Sequence, residues 1–229
     1  MRKIDLISNL KKIMDFVIPA FMPVYTVSGM PASGSTFVYQ VLYELGKKPR
    51  KIHEFTDDLS YKFITYRDPR DVICSQASRQ FKYLKDSVGM EAALIQAHFH
   101  MFRARRFQDI LRKYKEDKRA YFIRYEDFFI GREDELVKVI LGKIGIKLNK
   151  DRISRISGKF SLEANMIRSK GYRDFEEYDK RLQVHGDHIS SKGKIGVWQE
   201  LFTGRVKDMV KRDLNDFLVE LGYEKDDNW

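Results

Sequence analysis

Val24-Tyr25-Thr26-Val27-Ser28-Gly29-Met30-Pro31-Ala32-Ser33-Gly34-Ser35-Thr36 is the stretch on which the fold turns. Val24 to Val27 reads as a buried strand. Ser28 to Ser35 is a loop of small residues, and Thr36 to Leu45 reads as a helix stopped by Gly46. Small residues let backbone N–H groups turn inward, and the helix N-terminus adds partial positive charge, so the segment can cradle an anion. Taken alone, it reads more readily as an ordinary strand-to-helix turn. It lacks the Gly-Lys-Ser/Thr ending that holds a nucleotide triphosphate and its magnesium.

Outward from this loop, strands and helices alternate. Short strands are expected at about residues 50–55 and 61–66, followed by a helix opening at Asp68-Pro69 and a longer one over about 86–114. Tyr121 to Tyr125 reads as another strand, and helices follow to about Arg168. Residues of about 3–17 read as an amphipathic helix, and a last helix covers about 205–221. Such alternation predicts an α/β fold, a parallel sheet with helices on both faces, in one domain over 1–229. Ligands of such sheets bind beyond the carboxyl ends of the strands, where the motifs below fall. From about Ser169 to Trp198 the periodicity is lost among glycines and aromatics, which predicts a mobile lid.

The chain of 229 residues carries 43 basic against 33 acidic residues, a net charge of +10, with 43% hydrophobic residues. That composition is globular, and the charge favours anionic partners without choosing among them. The apolar stretch from Phe16 to Val27 is too short to span a membrane and is broken by Pro19 and Pro23. One cysteine, Cys74, suits a reducing compartment, so a cytoplasmic setting is expected. The histidines lack metal-ligand spacing, and no metal is expected.

Two further constellations could hold anions. In Arg67-Asp68-Pro69-Arg70-Asp71-Val72 with Ser75, an arginine fork stands at a strand end and a hydroxyl lies two turns along the next helix. A helix cap at Asp68 with a carboxylate partner for Arg67 explains it as well. In Lys192-Gly193-Lys194-Ile195-Gly196-Val197-Trp198, glycines and lysines precede an aromatic anchor. A basic loop before a core-anchored helix is the plainer alternative.

In this order the three constellations resemble the sulfotransferases that use 3′-phosphoadenosine 5′-phosphosulfate (PAPS). Pro31 to Phe37 is similar to their 5′-phosphosulfate loop, Arg67 to Ser75 to their 3′-phosphate motif, and Tyr125-Glu126-Asp127 to their Tyr-Glu-Asp element. Lys192-Gly193-x-x-Gly196-x-Trp198 is similar to their C-terminal signature. The resemblance implies a P-loop-like, five-stranded parallel sheet. It implies PAPS as co-substrate and 3′,5′-bisphosphoadenosine (PAP) as product. Ser33, Gly34, Ser35 and Thr36 would hold the phosphosulfate. Arg67, Ser75, Lys192 and Gly193 would hold the 3′-phosphate, and Phe37 and Tyr125 would flank the adenine. The sequence does not identify the acceptor, a small molecule, sugar or lipid.

Lys51-Ile52-His53 matches a Lys-x-His pair common in that family. On a strand the two side chains share a face, about 6–7 Å apart. His53 could take a proton from the acceptor while Lys51 offsets charge on the transferring group. Two positions depart from the pattern: Ala32 replaces a loop lysine or arginine, and Ser191 replaces an arginine before Lys192. Ala32 keeps open a PAPS-binding relative with lost or weak activity. A small-molecule kinase is less favoured, as is a nucleic-acid-binding module suggested by charge alone.

Overall fold

Parallel pairing of four segments builds the main sheet. The computed structural model describes residues 24–103, 107–129, 131–186 and 193–229. Strands β1 (Tyr25–Gly29), β2 (Arg50–Lys51), β3 (Tyr61–Tyr66) and β4 (Ala120–Arg124) lie in the order β2-β1-β3-β4. Each neighbour pair is parallel, with Val27 beside Lys51 and Phe63, and Ile64 beside Phe122. Their carboxyl ends therefore share one edge, which gathers residues 29–34, 51–53, 67–68 and 125.

Period-two alternation assigns the faces. Tyr25, Val27, Phe63 and Ile123 face a core completed by α1 (Ser35–Glu44) and later helices. Ile64 and the partly buried Phe122 face the opposite core, with α2 (Pro69–Arg79). Asp68 caps α2 by accepting from the Arg70 N–H, and Pro69 occupies its first turn, where a missing N–H costs nothing.

The expected helix over 86–114 is not continuous. The chain forms α3 (Lys82–Ser87), α4 (Met90–His98), a π-helical turn at Phe99–Arg103 and α5 (Phe107–Glu116). Gly89, at φ 123°, breaks the path between α3 and α4. After β4 come α6 (Tyr125–Phe128), α7 (Glu133–Lys143), α8 (Lys150–Phe160) and α9 (Leu162–Ser169).

Among the described residues the main sheet has four strands, where the family resemblance implied five. The remaining two described strands, β5 (Tyr178–Asp179) and β6 (Val184–His185), pair antiparallel with each other instead of joining it. They form a hairpin in the segment expected to lack structure. Gln40 of α1 donates to the Leu182 carbonyl at 2.9 Å, and Val184 is buried, so the hairpin is anchored to the domain. The chain then runs through α10 (Trp198–Leu201) into α11 (Gly204–Glu220). The helix expected over 3–17 lies outside the described residues. Among the described residues no helix is long and apolar enough to cross a membrane.

Candidate active site

The turn from β1 into α1 is constrained from beneath. A Cβ on Gly29 would fall 2.0 Å from the Thr65 carbonyl oxygen, and one on Gly34 would fall 2.2 Å from the Phe129 ring. Glycine is required at both places, and Gly34 also sits at φ 88°. Ser33 is fully buried; its hydroxyl donates to the Met30 carbonyl at 2.5 Å and meets Thr65 Oγ1 at 2.6 Å. That hydroxyl fastens the loop to β3, leaving the outer face to backbone groups. No side chain caps the N-terminus of α1 at Gly34. Its first-turn N–H groups and macrodipole therefore favour an anion.

A cation grips each end of this loop. At one end, the Arg67 guanidinium donates through Nη1 to the Ala32 carbonyl at 3.2 Å and through Nη2 to the Lys194 carbonyl. It lies 4.4 Å above the Tyr125 ring, and its Nε is buried without a hydrogen-bond partner. At the other end, Lys51 Nζ donates to Thr36 Oγ1 at 2.7 Å. Burial, and next the charge of Arg79, lower the Lys51 ammonium to about 8. No carboxylate pairs with Lys51 among the described residues.

Asp71 joins the distant segment to the site, a role that residue type alone did not signal. Its carboxylate accepts from the Gly196 N–H at 2.8 Å and the Trp198 N–H at 3.2 Å, and lies 3.5 Å from Arg67. Burial pushes the Asp71 carboxyl up, opposed by Arg67 and these N–H groups. Gly193, at φ 72°, lies against Tyr125, whose hydroxyl donates to the Gly193 carbonyl at 3.1 Å. A Cβ there would come 2.7 Å from the tyrosine oxygen.

The sulfotransferase domain family matches residues 58–218 of this chain. The chain belongs to that family. Retinol dehydratase, solved with androsterone and the inactive cofactor PAP, is 16% identical with a TM-score of 0.64, covering 85% of this chain and 80% of its own. Mouse sulfotransferase SULT7A1, solved with PAP, is 17% identical with a TM-score of 0.59, over 86% and 83%. No curated protein sequence matches.

Within this sulfotransferase domain the structure brings Ser33, Gly34, Ser35, Thr36, Lys51, Arg67, Tyr125 and Gly193 to one end of the sheet. Ser75 is buried on α2, two turns beyond its start. Phe37 is buried edge-on to Phe129 at 5.5 Å, while Tyr125 stacks on the same ring at 4.8 Å. Lys192 and Ser191 lie outside the described residues.

His53 differs from expectation in one respect. The strand ends at Lys51, because the last ladder bond is Ile52 N–H to the Val27 carbonyl, so His53 lies past it and is exposed. Its Nδ1 is 3.4 Å from the Gly29 carbonyl. Arg70 is committed elsewhere, bonded to Asp68 and Glu224 and packed on Trp198 and Trp229 at 3.9 and 4.6 Å. Ala32 adopts φ 56°, unusual for a non-glycine residue, and contributes its carbonyl to Arg67.

Proposed function

We propose that this chain transfers the sulfuryl group of PAPS to an acceptor hydroxyl or amine by in-line displacement. One observation carries the reading: a single uncapped loop is gripped at one end by Arg67 and at the other by Lys51. A donor with a phosphate at one end and a phosphosulfate at the other requires two separated cationic positions. Both similar structures contain PAP, which supports the same donor here.

The residues present fit such a group. The N–H groups of α1 lack a cap, Arg67 Nε lacks a partner, and Lys51 lacks a counter-ion among the described residues. When bound, PAPS supplies the sulfuryl group and departs as PAP. Gly34, Ser35 and Thr36 would hold the phosphosulfate on a loop anchored by Ser33. Arg67, Ser75, Lys192 and Gly193 would hold the 3′-phosphate, with Tyr125 and Phe37 walling the adenine side.

Lys51 would place its positive charge where negative charge accumulates on the leaving phosphate oxygen as the acceptor–sulfur bond forms and the sulfur–oxygen bond breaks. His53 would take the acceptor proton. A carbonyl can only accept, so the contact with Gly29 requires the proton on Nδ1 and puts the lone pair on Nε2. The buried Cys74 supports a cytoplasmic setting, since it needs no oxidised partner.

Transfer from sulfur-labelled PAPS to a panel of phenols, sugars and amines tests this. Lys51→Ala should lower turnover by ~100-fold, and His53→Ala should cost ~100-fold or more. A parent that binds PAP yet transfers to no acceptor would mark a binding relative, the alternative that Ala32 keeps open. Variants indistinguishable from an active parent would remove Lys51 and His53 from the chemistry.

A further inference from the structure

Arg79, at the far end of α2, holds none of the donor-site groups described above, although its charge acts on Lys51. Ten residues of helix put it about 15 Å along the axis from Pro69, away from Arg67. Among the described residues its Nη2 donates to the neutral Gln76 Oε1, at 3.1 Å, and its guanidinium lies 4.5 Å above the Phe175 ring. Phe175 stacks at 4.3 Å on His185, which stacks at 4.5 Å on Tyr178. The hairpin thus presents an aromatic wall to this cation.

The electrostatics of this corner are unbalanced. Burial lowers the Arg79 guanidinium to about 10, and the Arg79 charge helps to lower Lys51. His185 is depressed by burial and then by the charges of Lys51 and Arg79, against the opposing contact with the Phe175 carbonyl. No carboxylate pairs with Arg79 among the described residues. Three acids of this segment are engaged within it, since Glu177 holds Arg173, Asp174 accepts from the Glu176 and Glu177 N–H groups, and Asp179 from those of Arg181 and Leu182, while the Glu176 side chain is exposed to solvent. Two half-buried cations in one corner are costly unless an anion joins them. The donor's phosphosulfate answers Lys51 at Thr36. Arg79 lies on the hairpin side of this corner, against the Phe175 ring, and has no carboxylate partner among the described residues.

We propose that the acceptor carries its own anionic group, seated on Arg79 against the Phe175–His185–Tyr178 wall. The inference rests on the sulfotransfer reading above. It sets the substrate class as acidic hydroxy compounds, the acid on an aromatic ring or on a sugar.

The test is calorimetry on the PAP-loaded protein with two matched pairs of probes: para-hydroxybenzoate against its methyl ester, and glucuronate against glucose. The acidic member of at least one pair should bind about tenfold or more tighter, as expected for a hydrogen bond to a charged group. The aromatic pair alone would assign a phenolic acid, and the sugar pair alone an acidic sugar. Arg79→Gln should abolish the preference while leaving PAP affinity within about twofold, and Arg79→Lys should retain part of it. No preference in either pair, including no binding, overturns the proposal. So does an Arg79→Gln protein whose PAP affinity falls as far as its probe affinity, which would place Arg79 on the donor. A parent that fails to bind PAP overturns the donor reading as well, a failure distinct from loss of acceptor preference.

Discussion

Lys51 is the side chain at which burial and function compete most directly. Its lowered value of about 8 means that the ammonium predominates at pH 7 and is lost as the pH rises through about 8. A group in this position favours anion binding only while protonated, so PAP affinity should fall between pH 7 and 9.5, by about tenfold, the scale of one charge-assisted hydrogen bond. Lys51→Arg should hold its affinity across that range, because a guanidinium stays charged. A flat profile in the parent, or an equal fall in the arginine variant, would show that Lys51 does not meet the anion. The Lys-x-His spacing was legible in the sequence because it is local. The work of Asp71 was not, since its partners Gly196 and Trp198 are 125 and 127 residues away. From the sequence Arg79 reads as a candidate substitute for the phosphate contact missing at Ser191, and its place against the hairpin was hidden because that depends on residues about a hundred positions away.

The β1–loop–α1 element converts a run of small residues into an anion site through close packing. Gly34 has a positive φ and no space for a Cβ beside Phe129. Gly34→Ala therefore combines backbone strain with overpacking and should destabilise the fold by about 3 kcal/mol. Urea unfolding should show a lower midpoint with an unchanged slope. An unshifted midpoint would mean that the loop is freer than its packing indicates. Among the elements, β1, β3 and β4 could be read from short apolar runs, and α2 from its Asp-Pro start. The interruption of the helix expected over 86–114 was harder to foresee, because its apolar spacing continues through Gly89 and the π-helical turn. The hairpin in 169–198 was hidden for the opposite reason. Its strands are two residues each, too short for any alternation to register, and they are held by Gln40 from another element.

At the scale of the molecule, parallel pairing places every strand's carboxyl end on one edge and so brings the first two motifs together, while Asp71, Arg67 and Tyr125 bind the third to them. Motif order and alternation made the fold class readable, and the family match over 58–218 agrees with it. The four strands read from the residues are the four of the main sheet among the described residues, and the fifth was implied by the resemblance alone. The central claim is that this edge is built for a nucleotide with two separated anionic ends and not for a magnesium-bound triphosphate. A thermal shift assay run with PAP and, in parallel, with ATP and magnesium tests it most directly. PAP at ~100 times its dissociation constant should stabilise the fold by about 2.7 kcal/mol, with a far smaller effect of ATP and magnesium at the same concentration. Equal stabilisation by both nucleotides, or none by PAP, would contradict it.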